Sequence, residues 1–166
     1  MRYLLASFIF ACNVATNQQV EDNARCLVLD PEPPIENICQ GEYNYSPFDF
    51  SEKELYVIFT AVLEFNTFFG KDLISVNPIS VEKNNCNIYV QDIPGTIAGR
   101  YTSEGNIIID FKVIEEMRFF KRYLQHELGH SLGMVHARSG IMCGFGGNHS
   151  LNEEDISQAK ELGLID

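Results

Sequence analysis

The sequence predicts an α+β fold in a single domain: a twisted mixed sheet of four to five strands, packed on a first helix and on a second. Three observations predict it. An apolar stripe at helical spacing follows Ser51, short apolar runs broken by turn residues fill 73–110, and two more helical stripes close the chain. At 166 residues the chain fits one domain with a sizeable core. A hydrophobic content of 45% with 21% charged residues excludes a disordered chain. The formal charge of −11 argues against nucleic-acid binding, which needs a basic footprint. There is no internal repeat and no second domain.

The elements follow in order. Residues 13–45 are polar and rich in turn formers, with Asp30-Pro31-Glu32-Pro33-Pro34 in the middle, and read as a linker or pro-segment. One short strand is expected there, at Glu42–Tyr45. Residues 46–166 form the domain itself. Ser51 with Glu54 three residues on makes a capping box. Leu55, Ile58, Phe59, Val62, Phe65 and Phe69 form the first helix stripe, which should lie on the sheet, and Gly70 ends it. Leu73–Val76 and Pro78–Val81 read as strand, Asn87–Gln91 as a second, Thr96–Thr102 as a third and Asn106–Asp110 as a fourth. A helix from Lys112 to Leu132 buries Ile114, Met117, Phe120, Leu124, Leu128 and Leu132. Ser150 caps a last helix, with Glu153 and Glu154 at its positive end and Ile156, Ala159, Leu162 and Leu164 packing it down.

The second helix carries the chemistry. His126-Glu127-Leu128-Gly129-His130-Ser131-Leu132-Gly133-Met134-Val135-His136 has the spacing H-E-x-x-H-x-x-G-x-x-H. His126 and His130 lie one turn apart on one helix face. Two imidazoles so placed can share a tetrahedral metal ion. Glu127 sits on the adjoining edge of that face, within reach of a water that such an ion activates. Gly133 stops the helix, because glycine reaches positive φ without a Cβ penalty. The chain then turns and delivers His136 as a third nitrogen. Three protein ligands leave the fourth position for water, the mark of a catalytic site. Three of the chain's 4 histidines occupy ligand positions. The fourth, His149, reads as a surface or capping residue.

Six residues after His136, in Ser139-Gly140-Ile141-Met142, stands a methionine. From Gln125 to Met142 the sequence resembles the metzincin clan of zinc peptidases, whose long histidine motif is followed by a Met-turn. The resemblance implies a metzincin-like catalytic domain with one catalytic Zn2+. Its ligands would be His126, His130 and His136, its general base Glu127, and its hydrophobic floor Met142. It also implies a monomeric zinc endopeptidase that cuts extended protein or peptide substrates. In metzincins the strand matching Ile97-Ala98-Gly99-Arg100-Tyr101 is the sheet edge above the cleft, where a peptide can pair. Gly95, Ile97, Ala98 and Gly99 are therefore candidate substrate-binding residues, the two glycines for close backbone approach; a turn-making role is the alternative. Ile141 and Gly144 are candidates for the wall of the specificity subsite. Ser150 to Gly163 resembles the closing helix of matrixins. No tyrosine follows Met142 by two residues, unlike astacin-like and serralysin-like members.

Residues 1–12, MRYLLASFIFAC, hold one Arg and then ten uncharged residues, too few to span a bilayer but enough for a signal-peptide core. Ile9-Phe10-Ala11-Cys12 resembles a bacterial lipobox, implying a lipidated Cys12 and membrane attachment; Phe10 is bulkier than that pattern has. Plain secretion and an N-terminal strand are the alternatives. The chain is thus expected to be exported: secreted, periplasmic or lipid-anchored. The 5 cysteines then leave four for two bridges. Proximity favours Cys26–Cys39, and elimination gives Cys86–Cys143. Arg25-Cys26 with Asp30 also resembles, with a longer spacing, the matrixin cysteine switch. Two other functions fit the same ligand set: a zinc-dependent peptide-binding protein without turnover, and a metal-dependent hydrolase of a non-peptide amide.

Overall fold

In the computed structural model, residues 39–46, 49–78, 86–95, 98–144 and 150–166 are described. Cys12, Cys26, Ile97 and His149 lie outside them, as do the leader and most of the linker. Among the described residues nine elements follow one another: β1 (Glu42–Tyr45), α1 (Glu52–Phe69), β2 (Ser75–Pro78), β3 (Asn87–Gln91), β4 (Gly99–Tyr101), β5 (Ile107–Asp110), α2 (Phe111–Ile114), α3 (Met117–Ser131) and α4 (Glu153–Glu161). The strands form one mixed sheet in the order β2-β1-β3-β5-β4. β1 runs parallel to β2 and β3, β3 parallel to β5, and β4 antiparallel to β5.

The α+β class with five strands is as the sequence predicts. β1 is a sheet-interior strand, so the sheet includes residues 42–45, which the sequence reading placed at the end of the linker. Pro78 closes β2 at the opposite edge from β4, where its missing N–H costs no ladder bond.

Alternation along the strands sends Tyr43, Tyr45, Ile88, Ile107, Ile109 and Tyr101 to one face, all buried in the core. The helices cover that face. Ser51 and Glu54 form the capping box of α1, and Gly70 ends the helix in the left-handed conformation. Ile58, Val62, Phe65 and Phe69 of the α1 stripe are buried, but α1 packs on α3 as well as on the sheet. Phe59 departs from the expected stripe. It is 44% exposed and stacks edge-on against Tyr45, with ring centroids 5.7 Å apart.

The single helix expected over Lys112–Leu132 is two. Asp110 caps the short α2, accepting the Lys112 N–H at 2.8 Å and the Ile93 N–H at 3.2 Å. The chain then bends at Glu115 and Glu116 before α3 begins. The bend lets Val113 and Ile114 bury against one part of the core while Phe120, Leu124 and Leu128 bury against another. The last helix is also capped later than expected. Asn152, not Ser150, is its N-cap, in a capping box with Asp155. Leu162 is 44% exposed rather than packed, and Ala159 and Leu164 hold the helix down.

The cysteine pairing differs as well. Cys39 is bridged to Cys86, across 47 residues, so neither Cys26–Cys39 nor Cys86–Cys143 forms. Sequence proximity misled because β1 and β3 are sheet neighbours, and Cys39 and Cys86 lie just before them. Cys143 is disulfide-bonded too. Closing a loop of 47 residues restricts the unfolded chain by about 4 kcal/mol in the loop-entropy picture. The Cys39→Ala/Cys86→Ala variant should therefore lose roughly that much stability in urea unfolding; an unchanged midpoint would show that the bridge constrains little.

Candidate metal centre

α3 presents its last two turns to the centre of the domain, and Gln125 through Ser131 are all buried. The helix ends where the sequence predicts. Gly133 takes φ 92°, and the N–H groups of Gly133 and Met134 close on the carbonyls of His130 and Gly129 at 2.9 and 3.1 Å. This reversal brings His136 back over the helix.

The three imidazoles converge. Nε2 of His126 lies 3.0 Å from that of His130 and 3.2 Å from that of His136; His130 and His136 are 3.2 Å apart. Two of the rings are oriented by backbone carbonyls. Nδ1 of His126 donates to Ile141 O at 2.7 Å, and Nδ1 of His130 donates to Met134 O at 3.0 Å. A carbonyl accepts and never donates, so each of these rings carries its proton on Nδ1 and turns an Nε2 lone pair inward. Lone pairs so crowded repel one another unless a cation lies between them. Tetrahedral Zn–N bonds of about 2.0–2.1 Å would set the nitrogens about 3.3–3.4 Å apart. The residues present thus fit a metal ion held by three imidazoles.

His136 is not on the helix, and several contacts fix it. The Ala137 N–H donates to Met142 O at 2.9 Å, tying the residue after the ligand to the Met-turn. The Gln158 side chain of α4 grips the residue before it, accepting the Val135 N–H at 2.9 Å and donating to Val135 O at 3.0 Å. Gly144 packs against the imidazole, since a Cβ there would stand 3.3 Å from two ring carbons. Met142 is fully buried, and its sulfur rests on α3 where Gly129, the residue before His130, has no side chain. A Cβ at Gly129 would overlap that sulfur. Met134 places a second thioether nearby.

One carboxylate holds this turn. Asp155 of α4 is fully buried and accepts the N–H groups of Ile141 at 3.0 Å, Met142 at 3.3 Å and Asn152 at 2.8 Å. Burial raises its carboxyl above the usual carboxylate range, against the three N–H groups, which pull it down; Glu154 adds a further upward push. Ile141 is the hinge of the relay: its N–H is held by Asp155 and its carbonyl orients His126.

Glu127 is fully buried at the same end of α3, beside the edge strand β4. Of the candidate substrate residues, Ala98 is buried and its carbonyl accepts the Asp110 N–H at 2.9 Å. Gly99 is buried on β4 next to Glu127, and Gly95 is exposed with φ 88°. Ile97 lies outside the described residues. Ile141 and Gly144 are buried against the ligands as just described. No sequence pattern marks Asp155 or Gln158 as supports. The packing of α4 turns Asp155 inward, which its place in the sequence does not mark.

No family model matches the chain, and no curated protein matches it. Among solved structures it is similar to the crystal structure of archaemetzincin from Methanopyrus kandleri, with TM-score 0.52 over 82% of this chain and 99% of that one, at 10% identity. The fold is therefore metzincin-like, a mixed sheet and helices around a three-histidine cluster.

Removing the Asp155 carboxylate leaves three N–H groups without their acceptor and frees the turn that orients His126. Asp155→Ala is expected to cost on the order of 3 kcal/mol and to weaken metal binding by roughly 10- to 100-fold. Thermal melting and competition with a chromogenic chelator measure the two effects.

Proposed function

We propose that this chain is a zinc metallopeptidase, and specifically an endopeptidase that cuts extended peptides with Glu127 as general base. The observation that carries the reading is the convergence of three inward-facing Nε2 atoms beside a buried carboxylate. Zinc bound there supplies a Lewis acid for the scissile carbonyl and lowers the pKa of an attacking water towards ~7. His126, His130 and His136 hold the ion. Glu127 takes the proton of the attacking water and delivers it to the departing amine. β4, at the edge of the sheet, offers backbone N–H and C=O groups to a substrate strand. Met142 gives the histidines an apolar floor that keeps water from beneath them.

The closing segment from Ser150 to Gly163 and the lack of a tyrosine two residues after Met142 favour a matrixin-like enzyme over an astacin-like one. The apolar leader supports export, with attachment at Cys12 as its extension, and the disulfides agree with an oxidising compartment.

The purified protein is expected to hold one zinc ion and to cleave a peptide library, with cleavage abolished by a chelator and restored by zinc. Glu127→Ala should keep the metal and lose about 10²- to 10⁴-fold in turnover. Zinc bound with no cleavage by the wild type would favour a peptide-binding protein instead. Undiminished turnover by Glu127→Ala would remove that residue from its role.

A further inference from the structure

We propose that Gly99 is a positioning residue for Glu127: its missing side chain leaves the space in which the base sits. The inference rests on the general-base reading of Glu127. Gly99 begins β4 and pairs with Ile109 of β5. The Asp110 N–H bonds to Ala98 O and the Thr102 N–H to Asn106 O, both at 2.9 Å. Antiparallel pairs alternate between hydrogen-bonded and open, so Gly99 falls at an open pair. Its own N–H and C=O therefore point away from β5, towards the sheet edge, where no described strand pairs with them.

The third direction at Gly99 Cα faces the helix layer. A Cβ placed there would stand 3.2 Å from Glu127 Oε1, 3.3 Å from Glu127 Cγ and 3.1 Å from Ile109 Cδ1. All three are tighter than ordinary van der Waals contact. Backbone conformation is not the reason for the glycine, because Gly99 is absent from the residues with positive φ. Space is. The missing Cβ faces the base. One residue thus has two faces, with backbone groups for a peptide strand on one and the seat of Glu127 on the other. The distance between a bound peptide backbone and the carboxylate is then set across a single Cα.

An alanine methyl at this position must displace something. Ile109 is fully enclosed between sheet and helices, and the α3 backbone is fixed by its buried stripe. The carboxylate arm of Glu127 is the more movable neighbour. A shift of a few tenths of an ångström in a general base is expected to lower kcat about tenfold. KM and bound zinc should be unchanged, because neither the edge groups nor the histidines move.

The test is Gly99→Ala in the full chain, read by kcat, KM, zinc content and melting. The expected result is a lower kcat with KM and zinc retained. Adding Ile109→Val removes the Ile109 contact. If kcat stays low on that background the base is the displaced group; if kcat recovers fully, the clash was core packing and the proposal fails. A second cycle reads the contact without turnover. In metal-free protein, the Tm loss caused by Gly99→Ala should shrink when Glu127 is also replaced by alanine. Additive losses would overturn the proposal, whatever the peptide digest gives. A digest that fails with wild-type protein, beside coupled melting, would instead locate the error in the peptidase reading.

Discussion

Two backbone carbonyls, those of Ile141 and Met134, are the constraint on which the centre depends. Each accepts an imidazole Nδ1–H and so forces the Nε2 lone pair of His126 or His130 inward. Without that choice of tautomer, the histidines could satisfy one another through N–H···N bonds, and the cluster would not need a cation. The carbonyls come from different places. Met134 lies in the reversal just after α3, and Ile141 lies in the Met-turn. Both are parts of the chain that helix propensity alone does not place.

What places them is α4. Asp155 holds the backbone of the Met-turn and Gln158 holds the backbone before His136. The closing helix thus acts on the ligands through the backbone around them. Such outer supports fix ligand orientation and tune ligand basicity. Their burial is costly for a carboxylate, and the raised Asp155 carboxyl records that cost. The three backbone N–H donors offset part of it.

The apolar architecture has the same logic. The buried stripe of α3 fixes the helix, and α1 braces α3 from its other side. Two ligands and Glu127 therefore sit on a rigid element rather than a loop. The edge strand β4 closes the other side of Glu127. Within the mixed sheet that carries β4, the bridge between Cys39 and Cys86 ties the entry of β1 to the entry of β3.

The histidine set, the stop at Gly133, the capping box at Ser51 and the five-strand α+β class were legible from the chain itself. They depend on interactions within about one helical turn, or on periodicities that a short window contains. The rest required partners far away in sequence. The bend at Glu115–Glu116, the pairing of Cys39 with Cys86 and the inward turn of Asp155 all arise where distant segments pack together. Gly99 shows the division most simply. Its lack of a side chain is written in the sequence, but which neighbour fills that space is decided by α3 crossing β4, because only the packed sheet and helix bring Glu127 to within contact of it.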